Sequence, residues 1–211
     1  MAWGNKKRGG RSRRRWGMPV AGLALLLAVA GVARADEITG LKPATPQPAA
    51  AKLTPGLAVE YLYVLVRHVD EAEAAGKGHP AAPLPMLNYH SGDGKVLGSD
   101  EKDGVAARIR GFIHFDQAGT YLLAMQSNDG VRLKISDTVV IEDPDVHPDR
   151  FSPNVPVKIA QPGWYPLYLM YFERRNTSTL ELYWQPPGAS EFSFVPAEAF
   201  AHLKSDDPKG G

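Results

Sequence analysis

The chain has 211 residues, with 24 Lys/Arg against 23 Asp/Glu and no cysteine. The formal charge of +1 conceals a split: eight basic and no acidic residues fall in residues 1–35, leaving 16 basic against 23 acidic residues, a net −7, in the remainder. A body this acidic argues against nucleic acid, whose phosphates need a basic face, and the absence of cysteine excludes disulfides, thiol nucleophiles and cysteine-linked lipid.

The basic head ends at Arg15 and is followed by the apolar run "MPVAGLALLLAVAGVA", Met18 to Ala33. That run has 16 residues, short of the roughly 20 a membrane-spanning helix needs, and it contains Pro19, Gly22 and Gly31. Ala33-Arg34-Ala35 supplies small residues where a signal peptidase reads. The pattern predicts an export signal over residues 1–35, with an uncleaved anchor as the alternative. Ser12-Arg13-Arg14-Arg15-Trp16 resembles a twin-arginine signal; the general secretory route is the other reading. Either route delivers a periplasmic or secreted chain without a membrane span after cleavage. The remaining residues suffice for one domain burying roughly two-thirds of its surface.

Residues 36–56, "DEITGLKPATPQPAAAKLTPG", contain four prolines and no apolar periodicity, and read as an extended linker. Residues 57–203 carry the folded body, and the tail 204–211 reads as loose. "LAVEYLYVLV" from Leu57 is rich in β-branched and aromatic residues; "DEAEAAG" from Asp70 leans helical and stops at glycine. "RIRGFIHF" from Arg108 alternates, Asp116 to Gly119 turns, and "TYLLAMQS" follows. Val131, Leu133 and Ile135 face one way, while Arg132, Lys134 and Ser136 face the other. "WYPLYLMYFE" from Trp164 and "TLELYW" from Thr179 read as partners across "RRNTS", with Pro166 marking an edge or a bulge in the first. Short strands punctuated by Gly, Pro and Asp predict one all-β domain, a sandwich or a barrel.

Three stretches carry candidate chemistry. Asn128-Asp129-Gly130 is either a tight turn or a place where oxygen ligands gather. "EDPDVHPDRF" spaces Asp143, Asp145, His147 and Asp149 at every second residue, but Pro144 and Pro148 favour a solvated loop. Trp164, Tyr165, Tyr168, Tyr171 and Phe172 read mainly as core, with a sugar-stacking platform as the alternative. "GDGKVLGSDEKDG" lacks the order of a calcium loop and reads as polar surface. The six histidines are scattered, with no Gly-x-Ser-x-Gly or His-Glu-x-x-His, so a non-enzyme is expected. Carboxylate spacing alone does not discriminate glycosidase chemistry in an acidic chain.

The ordered set "GLAVEY", "RIRGFIHFDQAGTYLLAMQSNDGVRLKIS", "GWYPLYLMYFE" and "LELYW" resembles the protective-antigen domain family over roughly residues 56–203, while residues 86–104 depart from its pattern. The resemblance implies a two-sheet antiparallel β-sandwich, found in toxins, adhesins and glycosidases and usually non-catalytic. In the family's flocculin adhesins two adjacent aspartates hold calcium, a later loop adds an asparagine and backbone oxygens, and sugar hydroxyls complete the shell. Here the pair becomes Asn128-Asp129 and the later asparagine is Asn176, so these three are the implied ligand-binding and calcium-holding residues. Loss of one carboxylate and the neighbouring Arg174 and Arg175 weigh against a cation. The expected function is an exported, non-catalytic binding module recognising a glycan or cell-envelope component, with calcium. The alternative is an envelope structural or protein-interaction domain without metal or sugar. No oligomeric state is legible in the sequence.

Overall fold

The structure is a computed structural model that describes Met1 and residues 36–92 and 94–208. The expected export signal therefore lies outside the described residues, apart from Met1. Among them, no helix is long and apolar enough to cross a membrane.

Among the described residues, fourteen strands form two antiparallel sheets. In chain order they are β1 (Leu53–Pro55), β2 (Leu57–Tyr63), β3 (His79–Leu84), β4 (Asn88–Ser91), β5 (Val105–Phe115), β6 (Gly119–Ser127) and β7 (Val131–Ile135). There follow β8 (Thr138–Asp143), β9 (Arg150–Phe151), β10 (Val155–Ile159), β11 (Gly163–Glu173), β12 (Ser178–Gln185), β13 (Ser193–Phe194) and β14 (Phe200–Leu203). The eight-stranded sheet runs β1-β14-β5-β11-β7-β8, with β2 bridging β5 to β3. The six-stranded sheet runs β10-β6-β12-β13, with β4 on β12 and β9 on β6.

Alternation in the sequence becomes a core between the sheets. Val131, Leu133 and Ile135 are buried while Arg132 and Lys134 are not, as period-2 patterning requires. Phe115, Tyr121, Tyr165 and Trp184 interlock there, with Phe115–Tyr121 and Phe115–Tyr165 centroids 4.8 and 5.4 Å apart. A smaller core lies on the other face of the eight-stranded sheet, under helix α1 (Val69–Ala74). There Val69 and Ala72 pack with Leu62, Ala106, Met170 and Phe172. This second layer explains why Tyr171 and Phe172, on opposite faces of β11, are both fully buried. Arg132 ties α1 down through Asp70 at 2.8 Å and Glu73 at 2.9 Å.

Four expectations change. Strands β11 and β12 are not partners: β11 pairs β5 and β7 in one sheet, while β12 pairs β6, β4 and β13 in the other. The loop between them therefore crosses the sandwich instead of making a hairpin. Pro166 sits in a central strand, but pairing with β7 stops at Leu167, so the missing N–H faces no ladder partner there. The proline-rich stretch is extended yet docked, because its free backbone groups find partners: Ile38 N–H donates to Pro156 O, Ala44 N–H to Trp164 O, and β1 pairs β14. At the carboxyl end, Asp207 holds His202 at 2.8 Å and accepts from Thr54 at 3.1 Å, fastening the start of the supposedly loose tail.

Candidate binding cleft

Two connections pass between the sheets at the same end. Residues 128–130 run from β6 to β7 and residues 174–177 from β11 to β12. The register of β6 with β12, Ser127 opposite Leu180, brings these crossings side by side. Asn128 N–H donates to Thr179 O, and Asn128 Nδ2 donates to Thr177 Oγ1 at 2.6 Å.

Asp129 binds three segments together. Its Oδ1 accepts from His147 N–H at 3.1 Å, its Oδ2 accepts from Arg174 N–H at 2.7 Å, and its own N–H donates to His147 O at 3.0 Å. The turn reading holds here too: Asp129 has φ of +60° and Asn176 of +82°, left-handed backbone that costs an ordinary residue about 1–2 kcal/mol. Gly130 is required by close approach, because a Cβ there would collide with the Phe172 ring and the Pro144 carbonyl.

A cleft of about 410 Å3 opens between these loops, lined by Asn128, Asp129, His147, Arg174, Asn176 and Thr177, with Val146, Pro148 and Arg175. The three residues singled out from the sequence thus share one cleft. Asp129 is only 3% exposed, and burial raises its pKa despite the backbone N–H groups that pull it down. Just beneath, Glu173 is fully buried with both carboxyl oxygens unpartnered. Burial, then the nearby charges of Asp129 and Asp103, push its pKa up to about 8. Two buried carboxyls, one of them without a hydrogen-bond partner, are chemistry that a divalent cation fits. Against it stand the two arginines lining the cleft, and no cluster of three His, Asp or Glu with metal-holding geometry exists among the described residues.

Sequence reasoning missed Glu173 and Thr177 and placed His147 in a different constellation. The alternating acidic row did contain His147, but what brings it here is its backbone, not its ring; His147 Nε2 lies 3.2 Å from Asp143 without hydrogen-bond geometry. Of that row only Asp143 and His147 come close, and Asp143 pairs with Arg150 as well, while the Asp145 backbone forms an antiparallel bridge with His68; no three of the four gather in metal-holding geometry among the described residues. Among the aromatics of β11, Tyr165, Tyr171 and Phe172 are fully buried, as the core reading expected, while Trp164 and Tyr168 are half-buried.

The PA14 domain model matches residues 90–197, just over half of the chain. No curated protein matches. Among solved structures, the PA14 domain of the antifreeze protein MpAFP superposes with a TM-score of 0.63 at 15% identity, covering 75% of this chain and 96% of that one. A PA14 sugar-binding domain from an RTX adhesin gives 0.57 at 17% identity, over 71% and 99%. The epithelial adhesin 9 A domain of Candida glabrata, in complex with Galβ1-3GlcNAc, gives 0.59 at 12% identity, over 84% and 99%.

Proposed function

The chain belongs to the PA14 (protective-antigen) domain family, and from that premise we propose that it is an exported, non-catalytic carbohydrate-recognition module acting at the cell envelope. The observation carrying this reading is the convergence of Asn128, Asp129 and Asn176 in one polar cleft at the end of the sandwich. Support comes from domains of the same fold described as sugar-binding or solved with a galactosyl disaccharide. Export rests on the basic head and short apolar run of residues 1–35.

Calcium belongs to the same proposal. The Asp129 carboxylate and the side-chain oxygens of Asn128 and Asn176 would hold it, and the bound ion would supply a Lewis-acidic contact for vicinal sugar hydroxyls. This chain's own residues set the frame: Asp129 fixes the loops through backbone N–H groups, and the Thr177 contact orients Asn128. With one carboxylate in the cleft, affinity falls in the weak range of extracellular sites, with Kd about 10⁻⁴–10⁻³ M. The second reading, a metal-free interaction domain, is favoured by one observation: both Asp129 oxygens already accept backbone N–H bonds, so the residue has a structural task without any ion.

Thermal unfolding with about 10 mM calcium against chelator separates the readings. At a Kd of about 10⁻⁴ M the ion adds about 2.7 kcal/mol, and at about 10⁻³ M about 1.4 kcal/mol. Asp129→Asn, which keeps one acceptor oxygen, abolishes the calcium increment. No increment in the wild-type chain refutes the calcium proposal; no signal on a glycan array, with or without calcium, refutes sugar recognition.

A further inference from the structure

A strand at the margin of a sheet can accept a further strand, and proteins guard such margins with short strands, proline or a covering segment. Among the described residues most margins of this sandwich are guarded in that way. β1 has three residues and ends in Pro55, β3 carries Pro80 and Pro83, and β9 and β13 have two residues each. β10 carries Pro156 and is covered by Ile38, which donates to Pro156 O and accepts from Lys158 N–H. β4 is a short polar strand, Asn88-Tyr89-His90-Ser91. Of these marginal strands β8 alone lacks such protection: Thr138-Val139-Val140-Ile141-Glu142-Asp143 opens with four β-branched residues and contains neither proline nor lysine. It pairs with β7 on one side only, and its Val139 is 40% exposed.

One irregularity decides which strand fits this edge. Lys134 of β7 lies opposite Val139 and Leu133 opposite Ile141, so Val140 is a bulge between them. Val139 and Glu142, across from Lys134 and Arg132, therefore share the outer face with two residues between them instead of one. A regular strand, whose faces alternate at every residue, falls out of phase along such an edge. A second copy of β8 does not. Laid antiparallel about a two-fold axis between Val140 and Ile141, it sets Val139 against Glu142 on the outer face. On the inner face it sets Val140 against Ile141, both of them core residues, and Thr138 against Asp143. No carboxylate then faces a carboxylate, and those of Glu142 and Asp143 are already held by Arg132 and Arg150. Self-complementarity of this kind is what a two-fold contact requires.

We propose that β8 is a self-association edge, through which two copies of this chain join their eight-stranded sheets into one continuous sheet. The chain leaves β8 directly into Val146, His147 and Pro148, which line the cleft, so the two-fold sets the two clefts at opposite ends of the joined strands. Resting on the reading of that cleft as a sugar site, the pair bridges two glycan-bearing surfaces instead of gripping one surface twice. Sedimentation velocity of the purified protein up to about 1 mM tests the pairing, since an edge contact belongs to the small, weak class of interfaces. Wild type passes from monomer to dimer. Val139→Glu meets Glu142 of the second copy, twice per dimer, and weakens association about tenfold; Val139→Lys meets the same carboxylates and tightens it. Within one chain the preference is the reverse, because Lys134 lies opposite Val139, so altered folding cannot imitate this order. A chain that stays monomeric leaves the edge to an extended segment of another protein and overturns the proposal. A dimer indifferent to Val139, or shifted the same way by both variants, overturns it too. The charge order without binding to any glycan on an array upholds the pairing and refutes the sugar reading alone. Where a glycan is found, beads coated with it are clumped by wild type and not by Val139→Glu; a glycan-binding dimer that fails to clump them overturns the opposed clefts.

Discussion

Replacing Glu173 with glutamine stabilises the protein, by an amount that grows with pH. In the folded chain this carboxyl is fully buried without a hydrogen-bond partner and its pKa rises from 4.5 to about 8, chiefly through burial. The folded state therefore keeps a proton that the unfolded state has released, and stability falls as pH rises from the lower value through the higher. At about 1.4 kcal/mol per pH unit, the loss reaches about 3 kcal/mol at pH 7 and about 5 kcal/mol once both states are ionised. Burial also raises the pKa of Asp129, which adds to the decline with the same sign. Glutamine stays neutral in both states and escapes the Glu173 part of this loss. For a domain of this size each kcal/mol moves Tm by about 2–4 °C, so the variant melts roughly 6–12 °C higher at pH 7 and close to wild type at about pH 4. The assay is thermal unfolding of both proteins in chelator across that pH range. A Tm difference independent of pH, or one that shrinks as pH rises, refutes the argument that Glu173 is a buried neutral acid.

Asn128→Asp supplies the missing carboxylate of the paired arrangement, with opposite effects in two media. With calcium, affinity in a calorimetric titration rises about tenfold; in chelator, Tm falls, because a third carboxyl joins Asp129 and Glu173. Gly130→Ala drives a methyl into Phe172 and the Pro144 carbonyl and costs about 1–3 kcal/mol in denaturant unfolding. An unchanged midpoint would show that the loops yield freely.

The sequence by itself determined the all-β class, since β-branched and aromatic runs mark the strands and local alternation marks the buried face of β7, whereas the runs of consecutive buried residues in β5 and β11 reflect a second core that only the tertiary structure supplies. It also marked Asn128, Asp129 and Asn176, through motif likeness and left-handed turn chemistry, two signals that live within a few residues. Which strands share a sheet was not local information. Adjacent β11 and β12 read as a hairpin because nothing in "ERRNTS" distinguishes a tight return from a crossing between layers. Only that crossing brings Arg174 N–H to Asp129, 45 residues away, and carries the unpartnered Glu173 beneath the cleft. His147 likewise enters through its backbone, which its side-chain identity does not encode. Burial, and with it the raised pKa values of Asp129 and Glu173, depends on what the remaining loops cover, so tertiary packing alone set these acidic residues apart from the others on the chain.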